Sequence, residues 1–81
     1  QAFAYPNPSV GPLLRLTLRL DEPGDEAELM LYTPAMTCVL KQKLGPFQRG
    51  WNQAAVDVSH LPAGLYFMRI GQARGRVILL R

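Results

Sequence analysis

The sequence holds one cysteine, one histidine and no long apolar run, and each scarcity closes off a class of function. Cys38 has no partner for an intrachain disulfide, and its place between Thr37 and Val39 suits a buried thiol that behaves as a small hydrophobe. His60 stands in a turn before Leu61-Pro62, with no second histidine or cysteine beside it. Neither a metal site nor a Cys-His dyad is indicated. Uninterrupted apolar runs, such as Val77-Ile78-Leu79-Leu80, reach only four residues, against the roughly 20 that a membrane-spanning helix needs. There is no initiator methionine and no charged segment leading into an apolar one, so no signal peptide is recognisable. The 81 residues are expected to form a single domain, 1–81, cut from a larger protein.

What is present argues for a folded β domain. Hydrophobic residues make up 48% of the chain, too many for a disordered tail. The net charge of +3 comes mainly from arginine, at positions 15, 19, 49, 69, 74, 76 and 81, joined by Lys41 and Lys43. These cations are spread along the chain at spacings typical of outward positions on strands. They read as a solvated face, not a nucleic-acid site, which concentrates basic residues and interleaves aromatics. The carboxylates instead cluster: Asp21, Glu22, Asp25, Glu26 and Glu28 surround Pro23-Gly24. Carboxylates at irregular spacing are weak metal ligands, so this segment reads as a solvated acidic hairpin tip.

The strand pattern is clearest where Leu14, Leu16, Leu18 and Leu20 alternate with Arg15, Thr17 and Arg19. Period two places the leucines on one face of a half-buried strand, whereas a helix would scatter them. Residues 26–32 contain helix formers, but Pro23-Gly24 and Pro34 leave too little length for a helix, so Ala27, Leu29 and Leu31 are expected to face inward on a second strand. Residues 37–44 form a third, with Cys38 and Leu40 on one face. Lys41 and Lys43 lie on the other, as on a guarded sheet edge. Gly45-Pro46 breaks that strand, and residues 47–50 form a loop. Strands over 51–58, 65–70 and 76–80 follow, the last two joined by a connection over 71–75. The prolines of Tyr5-Pro6-Asn7-Pro8 force an extended lead-in, which is expected to anchor Phe3 or Tyr5 on the domain. The pattern is that of an all-β, antiparallel sandwich of about seven strands with no α-helix.

Leu61-Pro62-Ala63-Gly64-Leu65-Tyr66 adds a structural motif. In immunoglobulin-like (Ig-like) sandwiches, a tyrosine at the start of a late strand hydrogen-bonds back to the corner before it. Leu61 is expected to plug the core and Pro62 to preset the turn. Gly64 supplies a conformation or a close approach that a Cβ would block. Asp57 or Ser59 is expected to bond main-chain N–H groups in the same turn.

Together, Y-P-N-P-S at 5–9, D-V-S-H-L-P-A-G-L-Y-F-M-R-I at 57–70 and a last strand R-V-I-L-L-R at 76–81 resemble one family. It is the type A C-terminal sorting domain of cargo exported by the type IX (Por) secretion system of Bacteroidetes. The resemblance spans essentially the whole chain. One stretch departs from it. The family joins its second and third strands through Tyr-Asp-x-x-Gly, whereas this chain has Tyr32-Thr33-Pro34-Ala35-Met36-Thr37, and Pro34 is expected to impose a different turn.

The resemblance implies a non-catalytic address without a cofactor. It directs a passenger from the periplasm through the outer membrane and on to anchoring at the cell surface. The partners it implies are the outer-membrane translocon, a shuttle protein and a cell-surface sortase, with no nucleic acid and no membrane insertion. The exposed edge and terminal strands offer main-chain groups to a receptor, and the residues assigned to recognition are Arg76, Val77, Ile78, Leu79, Leu80 and Arg81. Tyr5, Pro6, Asn7, Pro8, Leu61, Pro62, Gly64 and Tyr66 are motif residues with mainly structural roles. An unpaired edge also allows a weak homodimer. The alternative is an Ig-like accessory or spacer module, related to those of flagellar hook-capping proteins. A carbohydrate-binding version would rely on Trp51, Phe47 and Tyr32.

Overall fold

The computed structural model describes residues 2–5, 7–24 and 26–80, and every regular element among them is a β-strand. In chain order these are β1 (Ala2–Ala4), β2 (Ser9–Val10), β3 (Leu13–Leu20), β4 (Ala27–Tyr32), β5 (Cys38–Leu44), β6 (Gly50–Asp57), β7 (Gly64–Ile70) and β8 (Ala73–Leu80). They form a three-stranded sheet, β1-β3-β6, and a five-stranded sheet, β2-β8-β7-β4-β5. The expected single lead-in becomes two short strands, one in each sheet. Pairing is antiparallel, as expected of the sandwich, except that the two-residue β2 runs parallel to β8.

The leucine alternation of β3 sets the core. Leu14, Leu16 and Leu18 are buried, and Leu20 packs against the same cluster. Leu29 and Leu31 of β4, Met68 of β7 and Val77 and Leu79 of β8 meet them from the other sheet. Each fully buried leucine or valine contributes about 1.5–3 kcal/mol relative to exposure, so these positions dominate the fold's stability. Phe47, expected in an open loop, is buried. It lines the end of the sandwich with Leu20, Ile70 and the Gly71-Gln72 turn, held by paired main-chain bonds to Gly24 of 3.1 and 3.0 Å.

Four local expectations change. The acidic segment over 21–26 is a crossover from the three-stranded to the five-stranded sheet, since β3 and β4 lie in different sheets. The β7–β8 connection is a two-residue turn closed by the Ile70–Ala73 pair. Gly71, with φ of 59°, takes its first central position, where a type II′ hairpin turn requires glycine.

Cys38 is exposed, not buried. It opens β5, which lies on the sheet edge next to a bulge between Leu31 and Tyr32. The bulge sets Cys38 opposite Tyr32 on the outer face, whereas Leu40 pairs with Leu31 on the core face and Val39 packs against the core. Lys41 and Lys43 are exposed along this edge, where charge discourages pairing with a further strand.

The β4–β5 turn keeps the glycine geometry without the glycine. Thr33 C=O accepts from Met36 N–H at 2.8 Å, with Pro34 at the second position of the turn. Thr33 N–H then donates to Thr37 C=O at 2.9 Å. Met36, at the glycine position of the motif Tyr-Asp-x-x-Gly, takes φ of 65°, the left-handed conformation that glycine adopts most readily. Thr33 stands where the family has Asp, and its hydroxyl accepts from Thr37 N–H at 3.2 Å. Pro34 is compatible with this turn instead of replacing it, because its fixed φ suits the second position.

Candidate functional site

The lead-in and the last strand are brought together over nearly the whole length of the sequence. Asn7, between the two motif prolines, donates from Nδ2 to Arg76 C=O at 3.0 Å and accepts from Ile78 N–H at Oδ1 at 3.1 Å. A carboxamide has the donor and acceptor of a peptide unit, so Asn7 completes the edge of β8 where no backbone is paired. Immediately beyond it, β2 pairs Ser9 with Leu79 and Val10 with Leu80. Ser9 is buried, with its hydroxyl 3.4 Å from Leu13 C=O. The edge of β8 is therefore partly occupied, which reduces the main-chain groups expected to be free for a receptor. Sequence alone missed this pairing; the only signal was a carboxamide fixed between two prolines.

The lead-in is not anchored by the Tyr5 ring, which is 71% exposed. Among the described groups it is held by Tyr5 N–H donating to Arg15 C=O at 3.2 Å, by buried Ala4, by the Asn7 side chain on β8 and by the pairing of Ser9. Only the backbone of Phe3 is described, paired with Thr17. Pro8 is exposed, and Pro6 lies outside the described residues.

Strand alternation divides the terminal recognition candidates into two sets. Val77 and Leu79 are fully buried in the core. Arg76, Ile78 and Leu80 project from the outer face, and Arg81 lies outside the described residues. Only the outward set can meet a partner while the fold stays intact.

The corner before β7 holds this sheet in place. Leu61 and Tyr66 are buried, and the Tyr66 hydroxyl donates to Pro62 C=O at 2.5 Å. Leu61 N–H donates to Val58 C=O at 3.0 Å, and Asp57 accepts from Ser59 N–H at 2.8 Å. Hydrogen bonds from the hydroxyl and N–H of Ser59, aided by the nearby His60, hold the Asp57 carboxyl below its ordinary range. Gly64 has φ of 151°, and a Cβ there would touch nothing within 4 Å. Glycine is needed for the backbone conformation, then, and not for close approach.

The aromatic platform considered for sugar binding loses a member, because Phe47 is buried. Trp51 is 53% exposed on β6, and Tyr32 is half-buried on β4. These two lie in different sheets and form no common surface.

A family model described as a secretion system C-terminal sorting domain matches residues 3–79. The chain belongs to this family. It is a type IX secretion C-terminal sorting domain, and membership implies passage through the outer membrane to the cell surface or the extracellular space. No curated protein and no solved structure matches the chain. The sorting domain's Tyr5–Ser9 and Asp57–Ile70 motifs both fall inside the matched span. Its family points to a signal role in place of chemistry and to contact with the type IX machinery.

Proposed function

We propose that this domain is the address that carries a passenger through the type IX outer-membrane machinery and on to anchoring at the cell surface. The single observation that carries the reading is the family match across residues 3–79. The domain folds in the periplasm, a shuttle protein and the translocon read it there, and a sortase acts at the surface. The outward side chains of β8, Arg76, Ile78 and Leu80, are the ones read, since Val77 and Leu79 are committed to the core. The partly seated edge supports recognition by a side-chain face over simple strand addition.

The test is export of a fluorescent passenger. Residues 1–81 are placed behind a signal peptide and passenger in a host with a working type IX system. Arrival of the passenger outside the cell, with periplasmic retention when the domain is deleted, is the expected result. Equal retention with and without the domain would remove the reading.

A further inference from the structure

We infer that the outer face of the five-stranded sheet is a docking surface for an acidic protein segment whose carboxylates stand beside large apolar side chains. Strand register composes this face. One row across the sheet reads Cys38, Tyr32, Phe67, Arg76, and the next reads Lys41, Met30, Arg69, Arg74. Lys43 and Glu28 pair below them. Cations that look dispersed in the sequence are thus collected by the fold. Five of them face a single carboxylate within these strands, a local excess above the +3 of the entire chain.

Arg69 and Arg74 are directly opposed. Arg76 and Ile78 turn their peptide groups toward Asn7, away from β7. Alternation then makes Arg69–Arg74 a non-hydrogen-bonded pair, the type that brings side chains closest. Like charges so placed oppose folding. Among the described residues no carboxylate pairs with Arg69, Arg74 or Arg76; the ion pair present is Arg19–Asp21, on another part of the molecule. A bound anion would relieve that repulsion and gain charge-assisted hydrogen bonds.

The cations border an apolar surface. A shallow groove of about 410 Å³ is lined by Tyr32, Met36, Phe67, Arg69 and Arg74. Five of the eight large apolar side chains left exposed among the described residues lie on this face or its rim: Val10, Met36, Leu65, Ile78 and Leu80. A contiguous apolar stretch bordered by charge marks an interaction site. Both features are met by carboxylates alternating with large hydrophobes on a protein segment. A nucleic acid would engage the arginines, but the Tyr32 and Phe67 rings beside them are only half-exposed, and it would leave the aliphatic stretch of Leu65, Ile78 and Leu80 uncovered.

This inference goes beyond the export reading, and binding is measured on the 81-residue chain alone, so either can fail without the other. Isotope-labelled protein is titrated with a short peptide of alternating glutamate and leucine. Its lysine-for-glutamate analogue and a single-stranded oligonucleotide are titrated in parallel. Saturable shifts centred on Phe67, Arg69, Arg74 and Arg76 are expected, weakened by added salt and absent with the lysine peptide. The Arg69→Gln/Arg74→Gln variant, which removes a repulsive exposed pair and so stays folded, binds about tenfold more weakly. No saturable shift, shifts centred on β6, unchanged binding by the variant, or tighter binding of the oligonucleotide would each overturn the proposal.

Discussion

Asn7 acts as a side-chain stand-in for a strand, accepting a hydrogen bond from Ile78 N–H at 3.1 Å across 71 positions of sequence. Its amide returns a bond to Arg76 C=O at 3.0 Å, so one residue of the lead-in closes two groups on the edge of β8. Asn7→Ala is expected to lower stability by about 1–2 kcal/mol, the loss of two partly solvated hydrogen bonds. Urea denaturation measures this, and faster amide exchange at Ile78 localises it. Unchanged exchange there would contradict the edge-capping role.

Met36 carries a left-handed φ of 65° while its side chain is 64% exposed. A non-glycine residue in this conformation costs roughly 1–2 kcal/mol, partly offset by the greater unfolded-chain entropy of glycine. Met36→Gly is therefore expected to stabilise the domain by about 1 kcal/mol, raising Tm by about 4–8 °C. Met36→Ala keeps the strain and is expected to change Tm little. A fall in Tm for the glycine variant would disprove the turn assignment.

The corner gives a pair of contrasting variants. Tyr66→Phe keeps the buried ring and removes the bond to Pro62 C=O, for an expected loss of about 1 kcal/mol. Gly64→Ala adds a methyl group into open space yet is expected to cost about 1–3 kcal/mol, because φ of 151° is strained for any residue with a Cβ. Thermal unfolding of both variants tests whether conformation or packing selects glycine there.

Asp57 sets a pH dependence of known sign. Its carboxyl titrates lower in the folded domain than in the unfolded chain, through the hydrogen bonds it accepts from Ser59 and, to a lesser extent, the charge of nearby His60. A depressed carboxylate stabilises the fold above its unfolded pKa, and that contribution disappears as the pH falls through the folded one. The stability advantage of the parent over Asp57→Asn is thus expected at neutral pH and should shrink below the ordinary aspartate range. Urea midpoints across acidic pH provide the check; a gap constant with pH would contradict the assignment.

Much of this structure was legible wherever burial followed a local pattern. Leu14, Leu16 and Leu18 announced their strand by alternation, and the run from Leu61 to Tyr66 announced a corner through a proline, a glycine and a tyrosine at fixed offsets. Features that depend on distant partners were not legible. Phe47 looked like loop until Gly24 paired with it, and Cys38 looked buried because sequence does not show the bulge that turns it to the outer face, opposite Tyr32. Asn7 read only as part of an extended lead-in, because its partners lie at the far end of the chain. The cationic face was hidden for a related reason: register, not sequence proximity, sets Arg69 opposite Arg74 and Lys41 beside Met30.

The most direct test of the account changes the outward side chains of β8 while leaving its core side untouched. Arg76→Gln, Ile78→Ser and Leu80→Ser are combined in the passenger fusion, with Tm and amide spectra used to verify that the sandwich remains folded. The fraction of passenger outside the cell is then measured against the parent fusion. A folded variant whose passenger stays in the periplasm is the expected result; a folded variant exported as well as the parent would contradict the assignment of this face as the address.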